Sequence, residues 1–143
     1  MGSARFKPRL QLPVIVCALL ASDGCRDRLA TAPSELTTGI VIYQHANFDG
    51  ASAHITADIA DLEKVRGPCE RRDDDGVTDS WDDCVSSVRV APGWRATLYE
   101  DPNFKGWAAD VGEENVANYQ LTRGPCSRDT FNDCASSVRV FRR

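Results

Sequence analysis

Two nine-residue stretches hold the side chains best placed to do chemistry. Asp82-Asp83-Cys84-Val85-Ser86-Ser87-Val88-Arg89-Val90 and Asn132-Asp133-Cys134-Ala135-Ser136-Ser137-Val138-Arg139-Val140 match at seven of nine positions. Each offers a carboxylate or amide at its first two positions and a hydroxyl at its fifth. Hard cations such as calcium take about six to eight oxygens from carboxylates, carbonyls and water. Asp82, Asp83 and Ser86, with Asn132, Asp133 and Ser136, supply oxygens in two matched loops. Catalysis has less to work with. His45 and His54 are the only histidines, and no Gly-x-Ser-x-Gly, His-Glu-x-x-His or glycine-rich phosphate loop is present. The chain reads as a non-enzyme.

The repeat that carries these loops extends upstream. Tyr43-x4-Phe48-x-Gly50 matches Tyr99-x4-Phe104-x-Gly106, and Arg66-Gly67-Pro68-Cys69 matches Arg123-Gly124-Pro125-Cys126. The tyrosines lie 56 residues apart and the Arg-Gly-Pro-Cys runs 57 apart, but Cys84 and Cys134 only 50, because the first repeat carries seven extra residues before Trp81. A repeat of this length is one structural unit that buries its apolar face against its neighbour.

In this order, Tyr-x4-Phe-x-Gly followed by (Asn/Asp)-(Asn/Asp)-x-x-(Ser/Thr)-Ser resembles the βγ-crystallins, in their microbial calcium-binding form. The resemblance covers about residues 38–142. It implies an all-β sandwich of two four-stranded Greek-key motifs related by a pseudo-twofold axis, the first about 38–91 and the second about 93–142. It also implies two Ca2+ sites with ligands shared between the motifs. One would use the Cys84 carbonyl, Ser86 and Asp133. Its mate would use the Cys134 carbonyl, Ser136 and Asp83. Hairpin carbonyls near His45 and Asp101 would complete them. The competing structural role for a serine in this place is a latch that holds the folded hairpin. Paired acids also cap turns without any cation. The carboxylates at Asp83 and Asp133 favour calcium, because a hairpin latch does not need them.

Four of the six cysteines occupy repeat-equivalent positions, which pairs them within repeats as Cys69–Cys84 and Cys126–Cys134. The rival is a metal site built from all four, but spacings of 15 and 8 are unlike zinc-finger pairs. Cys17 lies within the apolar run Leu12–Ala21, which follows a basic, acid-free segment of 11 residues. That pattern reads as a secretory signal over residues 1–24. Ser22 and Gly24 before Cys25 are similar to a lipobox that lacks its usual leucine, so Cys25 is either lipidated or follows ordinary cleavage. Residues 25–37 read as a tether, and 38–143 as the domain. The expected location is the cell envelope or the exterior, with membrane contact only through a lipid anchor.

Net charge is −4, and −6 without residues 1–24, which hold three basic residues and one acid. That argues against nucleic acid as a main partner. Short β-branched runs with turns between them predict strands at 39–43, 51–56, 86–90, 94–99, 107–111 and 136–141. Gly50 is expected at positive φ. The segment 58–65 reads as a short helix or arch, and 112–118 as the matching arch. The insert 70–80 reads as a solvated loop. Its Asp73, Asp75, Gly76, Asp79 and Asp82 match later positions of an EF-hand loop, but Arg71 stands where the first ligand belongs.

Three functions follow as expectations. The first is an exported calcium-binding module with a structural or stress-protective role. The alternative is a secreted protease inhibitor presenting the 70–80 insert, the protein partner then being a protease. The third, carbohydrate binding through exposed Trp81, Trp94 or Trp107, has no motif behind it.

Overall fold

Ile40 and Ile42 alternate with the more exposed Val41 and Tyr43, and Val88 and Val90 flank the exposed Arg89; Ala96 and Leu98, and Val138 and Val140 about the exposed Arg139, repeat the pattern. Period-two alternation buries one face of each strand. The computed structural model describes residues 35–73 and 76–143, with residues 71–73 and 76–78 described by backbone alone. The described residues form eight strands: β1 (Ile40–His45), β2 (Asp49–Ile55), β3 (Arg66–Asp73), β4 (Gly76–Ser80), β5 (Ser87–Val90), β6 (Trp94–Asp101), β7 (Lys105–Val111) and β8 (Ser137–Arg142).

Each repeat builds the same antiparallel sheet, in order β2-β1-β5 and β7-β6-β8. Tyr43 stands opposite Ser87, and Tyr99 opposite Ser137. The two sheets share one apolar core, in which Ile40, Ile42 and Leu62 of the first repeat meet Leu98, Tyr119 and Phe131 of the second.

The two repeats are also tied by exchange. Ile59 bridges to Val138 of β8, and Val116 bridges to Val88 of β5. Each bridge is a reciprocal pair of backbone hydrogen bonds, at 2.8 and 2.9 Å in both cases. The fourth position of each sheet is thus filled from the other repeat, and by one bridging residue rather than a full strand. The expected pair of Greek-key motifs is thus present, with this fourth position exchanged between the repeats. The arch at 58–65 holds both a bridge and a short 3₁₀ turn, Leu62–Lys64.

The insert also departs from expectation. Residues 66–73 and 76–80 pair as the antiparallel strands β3 and β4, with Glu70 opposite Asp79. Backbone pairing, not side-chain patterning, organises it, so its run of Arg and Asp gave no strand signal. The side chains of Asp73 and Asp75 lie outside the described residues, as do the segments read as signal, lipidation site (Cys25) and most of the tether.

The Tyr-x4-Phe-x-Gly turns fold identically. Asn47 and Phe48 have φ of 61° and 64°, and Asn103 and Phe104 have 60° and 62°. Gly50 follows at φ 79°, and a Cβ there would stand 2.6 Å from the His45 ring. Tyr43 meets Phe48 edge-on at 5.7 Å, and Tyr99 meets Phe104 at 5.9 Å. Arg89 covers Phe48 at 4.5 Å and Arg139 covers Phe104 at 4.4 Å, which accounts for the arginine repeated in both stretches.

Candidate functional site

Both disulfides form as paired by the repeat, Cys69–Cys84 and Cys126–Cys134. The four sulfurs are therefore not thiolate ligands, and the four-cysteine metal site is overturned. The bonds suit an oxidising compartment. They also brace the two acidic loops, since Cys84 and Cys134 sit at the third position of each.

The loops face one another across the pseudo-twofold axis. Asp83 N–H donates to the Ala135 carbonyl at 3.1 Å, and Asp133 N–H donates to the Val85 carbonyl at 3.2 Å. Asp83 and Asp133 both adopt left-handed backbone, with φ of 50° and 51°. Aspartate tolerates this conformation better than most residues. The exchange of hydrogen bonds places each aspartate beside the serine of the other repeat. Ser86 Oγ donates to Asp133 Oδ1 at 2.9 Å, and Asn132 Nδ2 donates to Asp133 Oδ2 at 2.6 Å.

The serine pairs divide their work. Ser87 Oγ donates to the His45 carbonyl at 2.6 Å and accepts from Phe48 N–H at 3.0 Å. Ser137 does the same for the Asp101 carbonyl at 2.7 Å and Phe104 N–H at 3.0 Å. The hairpin latch is thus the second serine of each pair. Ser86 and Ser136 are not latches. This separates two roles that the sequence left merged.

Two open hollows result. One is lined by His45, Ser86, Asn132 and Asp133, with Gln44 and Gln120 at its rim. The other is lined by Asp82, Asp83, Asp101 and Ser136, with Glu63 and Glu100. Asp83 touches both. Cys84 and Cys134 are fully buried, and it is their partners Cys69 and Cys126 that line the two hollows. Asp82 and Asp83 are engaged in further contacts of their own.

Sequence reasoning missed Glu63, Gln120, Gln44 and Glu100. The first two sit on 3₁₀ turns, Leu62–Lys64 and Tyr119–Leu121, whose caps Asp61 and Asn118 accept from the N–H groups of Glu63 and Gln120. Leu62 N–H donates to the Ser136 carbonyl at 2.8 Å and Tyr119 N–H to the Ser86 carbonyl at 3.0 Å, which hangs each turn over a hollow. The 57-residue spacing of the Arg-Gly-Pro-Cys runs, extended upstream, also relates Glu63 to Gln120 and was the available signal. Burial pushes the Tyr119 phenol well above its ordinary value, and Asp61 beside Lys64 raises that ammonium.

The donor set is hydroxyl, carboxylate, amide and carbonyl oxygen, which fits a hard divalent cation. Among the described residues no group of three or more His, Cys, Asp or Glu side chains is placed to hold a metal on its own. Any cation here would depend on backbone and hydroxyl oxygens as well. Of the tryptophans, Trp81 is buried and Trp94 half-buried, leaving Trp107, 48% exposed, as the one available to a partner.

Comparison with known proteins gives a consistent fold. The family model for peptidase inhibitor family I36 matches residues 42–111. Spherulin-3A of Physarum polycephalum is 29% identical over 101 residues, covering 71% of this chain and 80% of that protein. Gamma-crystallin S-2 of Chiloscyllium indicum is 30% identical over 71% of this chain, but the match spans 45% of its length. An epidermal differentiation-specific protein of Cynops pyrrhogaster is 30% identical over 71% of this chain and is matched over 23% of its own length. A solved structure concerned with the evolution of the eye lens βγ-crystallin domain fold superposes with a TM-score of 0.60 at 25% identity, covering 78% of this chain and 94% of that one. A βγ-crystallin domain from Flavobacterium johnsoniae superposes at 0.51 with 24% identity, over 72% of this chain and 93% of that domain. Crystallin domains and a peptidase inhibitor family both point to a non-catalytic protein.

Proposed function

Because the chain carries a βγ-crystallin-type domain, we propose that it is an exported calcium-binding module, stabilised by two Ca2+ ions held between its repeats. The observation that carries this reading is the Ser86–Asp133 pair, 2.9 Å apart and drawn from different repeats. With Ser87 and Ser137 holding the hairpins, the Ser86 and Ser136 hydroxyls are not needed as latches and would join the Asp133 and Asp83 carboxylates around a cation. The Cys84 and Cys134 carbonyls and those of His45 and Asp101 complete the proposed sets. When bound, calcium would supply charge neutralisation and a crosslink between loops. The chain's own part is to hold oxygens at fixed positions, with the disulfides limiting what must be ordered on binding. Residues 1–24 as a signal, with Cys25 as a lipid anchor or simple N-terminus, would place the domain at the envelope or outside the cell, in a structural or stress-protective role.

Equilibrium dialysis of the full chain against calcium tests the reading. Two ions bound per chain are expected, and no binding in the millimolar range would overturn it.

A second reading, inhibition of a secreted protease, is favoured by the match to peptidase inhibitor family I36 over residues 42–111, which spans β3–β4. That hairpin is fastened at its base by Cys69–Cys84, and a stiffened strand pair suits a protease cleft that binds extended peptides. Inhibition of a protease panel that disappears when residues 70–79 are replaced by a short turn would support it. Inhibition unchanged by that replacement would remove it.

A further inference from the structure

The two disulfides are built alike and surrounded differently. Cys84 and Cys134 have no exposure, so each bond is approached at its other sulfur, Cys69 or Cys126, both partly buried at the wall of a hollow. The repeat relates Gln44 to Glu100 and His45 to Asp101. Gln44 Nε2 donates to Cys69 Sγ at 4.0 Å. In the hollow of Cys126 the equivalent residue is Glu100, a carboxylate that accepts from Trp107 N–H at 3.0 Å. The contrast extends around both sulfurs. Glu63, Glu100 and Asp101 line the hollow of Cys126, where that of Cys69 has Gln120, Gln44 and His45. Asp83 lines both and cancels. Asp133, on the Cys69 side, accepts from Ser86 Oγ and Asn132 Nδ2. The flanking cations cancel too, since Arg66 and Arg71 around Cys69 match Arg123 and Arg128 around Cys126. Glu70, next to Cys69, is directed to the other face by the alternation of β3 and has contacts of its own.

We infer that Cys69–Cys84 is the redox-responsive bond of this chain and Cys126–Cys134 its permanent one. The reductant is a small anionic thiol of the glutathione class. Its thiolate attacks Cys69 Sγ, the Cys69–Cys84 bond breaks, and Cys84 leaves as a thiolate that takes a proton from solvent. A second thiolate then displaces Cys69 from the mixed disulfide. Two thiols are oxidised to their disulfide, and the two cysteines are reduced. Such exchange depends on access to the attacked sulfur and on thiolate character at the reacting atoms. Negative charge is spread over the sulfurs as the bond changes hands. An N–H aimed at Cys69 Sγ favours that charge, whereas carboxylates around Cys126 oppose it and repel the incoming anion. Opening Cys69–Cys84 unties β3 from the loop that holds Asp83, while the second repeat keeps its crosslink. No bound calcium is needed for this difference.

The test is timed reduction of the full chain by glutathione, in chelator and at low ionic strength, with free thiols trapped by alkylation and located by peptide mass spectrometry. Cys69–Cys84 should open about five-fold or more faster than Cys126–Cys134. The gap should narrow with cysteamine, a cationic thiol, and with added salt. Gln44→Glu should slow the opening of Cys69–Cys84, and Glu100→Gln should speed that of Cys126–Cys134. Both positions are half-exposed, and melting each oxidised variant in chelator verifies that it folds; the comparison of thiols needs no substitution at all. Equal rates with glutathione, or Cys126–Cys134 opening first, would overturn the assignment. So would a rate ratio that ignores both the charge of the thiol and the two substitutions.

Discussion

Ser86 Oγ lies 2.9 Å from Asp133 Oδ1, although 47 residues separate the two in the chain. Next to it, Ser87 Oγ lies 2.6 Å from the His45 carbonyl. Adjacent serines therefore serve different structures, one spanning the repeats and one closing a hairpin within its own repeat.

That division predicts opposite behaviour for neighbouring substitutions. Ser87→Ala strips partners from Phe48 N–H and the His45 carbonyl at a position with no exposure. It should cost about 1–3 kcal/mol in chelator and in calcium alike. Ser86→Ala should cost about 1 kcal/mol or less in chelator and should reduce the stabilisation that calcium adds. Denaturant melts of both variants, with and without calcium, make the comparison. Equal responses to calcium would remove Ser86 from the proposed cation site.

The disulfides close loops of 15 and 8 residues. Chain entropy assigns them roughly 3 and 2.5 kcal/mol respectively. Because each crosslink ends on the loop whose carbonyl is proposed to bind metal, reduction should also weaken calcium affinity. Titration of a fully reduced chain that stays folded checks this, and unchanged affinity would show that the loops are ordered without their crosslinks.

Tyr119 gives the domain an alkaline limit. It is buried against Phe131, 5.6 Å between rings, and its hydroxyl has no partner among the described residues. Burial raises its folded-state pKa above the unfolded value near 10. A raised pKa stabilises the fold fully below the unfolded value, and that contribution is lost as pH rises above about 10, where the unfolded chain releases the proton first. Tm should therefore fall progressively as pH rises above about 10, and Tyr119→Phe should flatten that fall without loss of stability at neutral pH. A Tm profile unchanged by the substitution would contradict it.

Much of this architecture is written in the repeat. Tyr43, Phe48 and Gly50 recur as Tyr99, Phe104 and Gly106, because a left-handed turn with an edge-on aromatic pair tolerates few alternatives. The cysteine pairing was legible for the same reason. The bridges of Ile59 to Val138 and Val116 to Val88 were not, since a one-residue pairing across about eighty residues of chain, or twenty-eight, leaves no periodicity to read. Nor was the β3–β4 hairpin, whose pairing rests on backbone groups that every residue carries. The division between Ser86 and Ser87 was hidden because both are serine, and only the direction of each side chain tells them apart. The repeat spacing relates Glu63 to Gln120, but which hollow each overhangs appears only once their turns bond to the Ser136 and Ser86 carbonyls of the folded chain.

The most direct test of the central claim is a thermal melt of the full chain, disulfides intact, in chelator and then across a calcium titration. If the domain binds calcium between its repeats, each site should add roughly 1.4 kcal/mol at ten times its Kd. Tm should rise by several degrees (about 4–8 °C for each kcal/mol in a domain of this size), and Asp83→Ala or Asp133→Ala should reduce the rise. A Tm that does not move up to millimolar calcium, or a rise that both variants retain in full, would contradict the claim and leave the acidic loops as turn caps.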